Sequence, residues 1–112
     1  MERDRSALIS GTLDLLILKT LSLGVLHGYG IAQHIQTLSR EALRVDEGSL
    51  YPALQRLQAK GFASSEWRRS PTGRKARYYR LTAAGRRQLG VEESSFLDSV
   101  AAITRVLRGS ES

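Results

Sequence analysis

The sequence predicts a mainly α domain with one small β-hairpin and a long closing helix. Three observations predict it. Apolar residues recur at spacings of three and four in three successive stretches, around Leu13, Ile31 and Leu50. The stretch from Phe62 to Leu81 is rich in β-formers and cations around a Pro-Gly turn. From Leu89 to Leu107 the apolar residues Leu89, Phe96, Val100, Ile103 and Leu107 are spaced seven, four, three and four apart. That is an a/d seam with one slot, Glu93, occupied by a charge.

The elements follow in order. Leu13, Leu16, Ile17 and Leu21 mark a first helix, with Thr12 or Ser10 as its N-cap and Asp14 favourable in the first turn. Gly28-Tyr29-Gly30 punctuates its end, and a second helix is expected from about Gly30 to Ser39 on the stripe Ile31, Ile35, Leu38. Leu43-Arg44-Val45 alternates and predicts a short edge strand. A third helix runs from about Glu47 to Lys60, with Leu50, Leu54 and Leu57 inward, Pro52 expected in its first turn and Gly61 as a left-handed C-terminal cap. Phe62 to Arg69 and Ala76 to Leu81 read as the two strands of a hairpin, joined by a loop containing Pro71 and Gly73. Trp67 is expected to pack at the base of that hairpin. Thr82 caps a last helix over 83–108. The expected division is a polar lead at 1–7, a domain at 8–82, a closing dimerisation helix at 83–108 and a polar tail at 109–112. Three helices followed by a two-stranded hairpin is the winged helix-turn-helix arrangement.

Composition narrows the function. At 112 residues the chain is one domain's worth, with 41% hydrophobic residues and hence a thin core. Docking against a second copy is an easy way for such a chain to bury more area. The formal net charge is +6. Six cations and no acid lie between Arg68 and Arg80, namely Arg68, Arg69, Arg74, Lys75, Arg77 and Arg80, so the rest of the chain is balanced. A basic patch of this kind suits a polyanionic partner. With no cysteine, disulfides and thiolate metal sites are excluded. The apolar run Leu13 to Leu26 is interrupted by Asp14 and Lys19 and is too short to span a bilayer, and no signal-like apolar segment follows Met1 to Arg5. The expectation is a cytoplasmic protein with no membrane partner.

The third helix presents Ser49, Pro52, Gln55, Arg56 and Ala59 opposite its leucines, with Tyr51 and Gln58 at one edge. Small and hydrogen-bonding residues with one Arg suit a major groove, where Gln pairs with adenine and Arg with guanine. An ordinary solvated face would look similar. The basic hairpin beside it would track phosphates or enter the minor groove. Tyr29 stands where a helix N-terminus offers free N–H groups to a phosphate, or packs against the first helix. His27 and His34 are too isolated to suggest a metal site, and Asp46 with Glu47 reads as a helix-start pair rather than a catalytic one. No nucleophile triad or phosphate-binding loop is present in the sequence, so no enzyme activity and no cofactor are expected.

Several segments resemble the PadR family of bacterial transcription regulators. They are His27-Gly28-Tyr29-Gly30-Ile31, Gly48-Ser49-Leu50-Tyr51-Pro52-Ala53-Leu54-Gln55-Arg56-Leu57, Gly61-Phe62, and Gly73-Arg74-Lys75-Ala76-Arg77-Tyr78-Tyr79-Arg80-Leu81-Thr82 with Gly85. The resemblance covers roughly Leu8 to Leu89. It implies a homodimer on a palindromic operator in double-stranded DNA, usually a repressor, released by a small ligand that is often a phenolic acid or a drug-like aromatic. It places Tyr29, Ser49, Tyr51, Pro52, Arg74, Lys75 and Arg77 at the DNA. The C-terminal region has room for one helix, which looks like the short subgroup, and Leu89, Phe96, Val100, Ile103 and Leu107 are the expected dimer seam. The alternative is a winged-helix protein-interaction module with no specific DNA site. An RNA partner is disfavoured, because side chains cannot read the deep, narrow A-form major groove.

Overall fold

The computed structural model describes residues 12–109. The polar lead, the alternative cap Ser10 and the end of the polar tail lie outside the described residues. The order is helix, short strand, two helices, hairpin, long helix.

The first helix, α1 (Leu13–Leu21), is the centre of the packing. Ile17 and Leu18 are fully buried, and α1 touches the three other helices. Thr12 stands at the N-cap, its carbonyl accepting from the Leu16 N–H at 3.0 Å, without a side-chain cap bond. Thr20 is buried here, with its hydroxyl donated to the Leu16 carbonyl at 2.8 Å.

The chain then forms a strand that the sequence does not suggest, β1 (Leu26–His27). Two residues are too few for any periodicity. The strand exists because β3 offers it an edge, Leu26 opposite Tyr79 and His27 opposite Tyr78. The expected edge strand at Leu43-Arg44-Val45 does not form. Leu43 and Val45 alternate because both lean on the core, not because they pair with a neighbour.

The second helix, α2 (Gly28–Leu38), begins two residues earlier than expected. Its N-cap is His27, whose Nδ1 accepts from the Gly30 N–H at 2.9 Å. Past α2, Arg40 and Glu41 both take left-handed backbone, φ 54° and 68°. Such conformations are costly for residues with a Cβ. They are held by the Glu41 N–H on the Gln36 carbonyl at 2.8 Å and by Gln36 Nε2 donating to Glu41 Oε1 at 2.6 Å.

The third helix, α3 (Glu47–Ala59), is capped by Asp46, which accepts from the Ser49 N–H at 2.8 Å. Leu50, Ala53, Leu54 and Leu57 are buried. Pro52 is the sixth residue of the helix and so lies beyond its first turn, contrary to expectation. It has no N–H to return to the Gly48 carbonyl, and the helix tolerates this because Gly48 is exposed to water. The helix closes at Gly61 with φ 81°, the Gly61 N–H on the Gln58 carbonyl and the Phe62 N–H on the Leu57 carbonyl. These are the two bonds of a Schellman ending.

The hairpin is β2 (Ala63–Arg69) and β3 (Lys75–Leu81), and the sheet order is β1-β3-β2. The pairing runs in register from Ala63 opposite Leu81 to Arg69 opposite Lys75. The closing helix, α4 (Ala83–Arg108), is capped by the Thr82 hydroxyl, which accepts from the Gly85 N–H at 2.9 Å. A Cβ at Gly85 would strike the Phe62 carbonyl, so glycine is what lets α4 start against the end of α3. The fold is mainly α with a small sheet, as the sequence predicts. No helix among the described residues is long and apolar enough to cross a membrane.

Candidate nucleic-acid interface

The hairpin and α3 meet in a recess of about 560 Å³ lined by Tyr51, Gln55, Gln58, Ala59, Arg77 and Tyr79. A second recess continues from it, lined among others by Tyr29, Tyr51, Trp67, Arg74, Lys75 and Arg77. Six of the nine residues singled out from the sequence for DNA therefore share one continuous surface: Tyr29, Tyr51, Gln55, Arg74, Lys75 and Arg77. Ser49 and Pro52 lie within a turn of Tyr51 on α3.

Tyr51 has a specific seat. A Cβ at Gly28 would come within 2.6 Å of the Tyr51 hydroxyl and 2.9 Å of its ring. Glycine at the first position of α2 is therefore what allows the ring of α3 to lie on the N-terminus of α2. Tyr29, next in sequence, is 68% exposed, with its ring centroid 6.4 Å from that of His27. His27 connects the two helices to the hairpin, with its ring edge-on to Tyr78 at 5.3 Å.

Arg56 departs from this group. Its Nη2 donates to Asp14 Oδ1 at 2.8 Å, and it lines a groove shared with α1 and α4, among Asp14, Leu15, Val91 and Phe96. A helical projection puts Arg56 on the exposed face but cannot reveal a partner 42 residues away.

The wing cations are not equivalent. Arg68 donates from Nε to Glu66 Oε2 at 2.7 Å and lies over the Tyr78 ring. That hydrogen bond and charge hold the Glu66 carboxyl below its usual range, with Arg80 adding to the effect. Arg69 is tied to the Gly73 carbonyl at 2.9 Å within the tip. Arg77 donates from Nε to the Ser65 hydroxyl at 2.8 Å and lies over the Trp67 ring, 5.4 Å from its centroid. Trp67 is 59% exposed, so it does not pack at the wing base. It extends along the wing opposite Arg77. Burial pushes the Tyr79 hydroxyl up from its ordinary range, opposed by the Arg77 charge beside it.

Trp67 and Ser65 are absent from the residues that the sequence proposes for this surface, and Gln58 stands only at the edge of the α3 face. A signal for the two strand residues existed. Strand alternation puts Ser65 and Trp67 on one face, and the pairing sets both beside Arg77.

The model of the Transcriptional regulator PadR-like family matches residues 17–91. The chain belongs to the PadR-like family. PadR-like proteins are transcriptional regulators and not enzymes, and DNA binding is what the family implies. A transcriptional regulator of Mycobacterium tuberculosis is 47% identical over 66 residues, covering 59% of this chain and 60% of that protein. Among solved structures, a transcriptional regulator from Clostridium thermocellum superposes with a TM-score of 0.81 at 28% identity, covering 89% of this chain and 97% of that one. A PadR-like transcriptional regulator from Bacillus cereus gives 0.79 at 28% identity, covering 93% and 99%.

Proposed function

We propose that this PadR-like chain acts as a homodimeric repressor on a palindromic operator. In this reading α3 lies in the major groove with Ser49, Tyr51, Pro52 and Gln55 at base edges and sugar-phosphate. Arg74, Lys75 and Arg77 hold the flanking backbone or minor groove, and Tyr29 meets a phosphate at the start of α2. The observation that carries the proposal is the single surface on which Tyr51 and Gln55 of α3 adjoin Arg77 of the wing. The dimer is supported by the bare apolar stripe Phe96, Val100, Ile103 and Leu107, exposed along the far half of α4. Repression and release by a small aromatic ligand follow from the family resemblance, and a promoter–reporter strain titrated with phenolic acids tests both.

Selection of bound duplexes from a random pool is the test of the main reading. The expected product is a palindrome with half-sites about one turn, roughly 34 Å, apart. An unenriched pool would refute sequence specificity.

A protein-interaction module with an acidic partner is the competing reading, and salt separates the two. DNA binding through phosphates weakens steeply with salt, and Arg74→Ala with Lys75→Ala should lower the slope of log affinity against log salt by about two. An unchanged slope would remove the wing from the phosphates.

A further inference from the structure

Arg77 and Arg68 are each held through Nε and a ring face, but Arg68 is paired with the Glu66 carboxylate, whereas Arg77 is held by an uncharged hydroxyl tied to α3. The Arg77 Nε donates to Ser65 Oγ at 2.8 Å, and Ser65 Oγ in turn donates to Gln58 Oε1 at 3.1 Å. A serine hydroxyl has one proton, and here it is committed to Gln58, which orients a lone pair at Arg77. The two strands set Ser65 diagonally across from Arg77, and Trp67 directly opposite supplies a ring face to the guanidinium. The Nη groups of Arg77 make no hydrogen bond among the described residues. The result is a guanidinium held at Nε by Ser65 and on one face by Trp67, with its fork open. Arg74 and Lys75, by contrast, have no side-chain hydrogen bond or ion pair among the described residues.

We infer that Arg77 is the wing's specificity contact, and that Ser65 and Gln58 are positioning residues that fix it relative to α3. The inference rests on the DNA-reading proposed above. A mobile cation neutralises any phosphate within reach and so contributes equally on every sequence. A planar donor fork held at a fixed offset from the recognition helix suits one site only, because it meets its acceptors only when α3 is in register. Gln58 lies on α3 itself, so the relay ties the wing's register to the helix that reads the bases.

The test is affinity for the selected operator and for random duplex, measured side by side. Ser65→Ala should weaken operator binding roughly five- to tenfold, with less than about a twofold change on random duplex. Ser65→Thr keeps the hydroxyl and should restore the preference. In an Arg77→Ala background, Ser65→Ala should change nothing further, since Ser65 acts through Arg77. Gln58→Met reads the same relay from its other end, should Ser65→Ala lower the melting temperature. Equal losses on operator and random duplex would overturn the inference, as would additive effects of Ser65→Ala and Arg77→Ala. A wild-type chain without any preference would overturn the DNA-reading as a whole, whereas a selective wild type with an equally selective Ser65→Ala variant overturns the relay alone.

Discussion

The two halves of α4 carry the same kind of apolar residue at the same helical spacing, yet they meet different surroundings. In the first half, Gly85 is pressed against the Phe62 carbonyl and Leu89 is 7% exposed within the chain's own core. In the second half, Phe96, Val100 and Ile103 are exposed and Leu107 is 79% exposed. At about 1.5 Å per residue, α4 runs well past the body of the domain, and its stripe outlasts what the other helices can cover. In the proposed dimer, one continuous stripe would serve both the core and the interface. Leu89, expected on the dimer seam, belongs to the core and is already covered by its own chain. The exposed part of the stripe begins at Phe96.

The largest effect is expected from charging the far half of α4. Val100→Asp with Ile103→Asp should give a folded monomer, because neither side chain belongs to the core. Loss of the second half-site should weaken operator binding by about 10²- to 10⁴-fold. Sedimentation gives the association state and gel shift the affinity. A dimer that survives both substitutions would move the interface elsewhere.

The near half answers differently. Leu89→Ala should destabilise the fold by about 2–5 kcal/mol, the usual cost of truncating a buried leucine. The loss should be the same at low and high protein concentration. Val100→Ala should cost no more than about 0.5 kcal/mol in the monomer. Any larger loss should appear only as melting temperature varies with protein concentration. Thermal unfolding over a hundredfold range of concentration checks the contrast. Concentration-dependent melting of Leu89→Ala relative to wild type would return Leu89 to the interface.

The two halves of α4 also mark how far the sequence is legible. Elements with local signals are read nearly to the residue. Thr82 before two alanines starts α4, and Gly61 ends α3, because a cap is a short-range device. The wing is legible for the same reason, from its β-formers and its turn. What escapes is decided by partners remote in sequence. The β1 strand exists only through β3, and Leu43 to Val45 alternates without a partner. Arg56 sits on the outward face of α3 and is claimed by Asp14 of α1. Heptad spacing shows that Leu89 and Phe96 share a stripe, but not which of them another element covers. The candidate site divides along the same line. Tyr29, Tyr51, Arg74, Lys75 and Arg77 come from contiguous motifs, whereas the Gln58–Ser65–Arg77 relay needs the folded register.

The smallest expected effect lies at the boundary of the two halves. Glu93 fills the one charged slot of the seam, four residues after Leu89 and three before Phe96. Its Oε1 lies 3.5 Å from the Lys19 Nζ on α1, so the slot is turned toward its own domain. Both side chains are about half exposed, which limits the pair to about 0.2–1 kcal/mol and makes it weaken with salt. A double-mutant cycle with Lys19→Ala and Glu93→Ala should return a coupling in that range. Glu93→Leu is the more telling change. If the slot faced a second copy, a leucine would extend the seam toward Leu89 and tighten the dimer about tenfold or more, as burial of one such side chain allows. With the slot facing α1, the dimer constant should stay within about threefold of wild type. A tightened dimer would place the end of the interface one turn nearer the core than the bare stripe indicates.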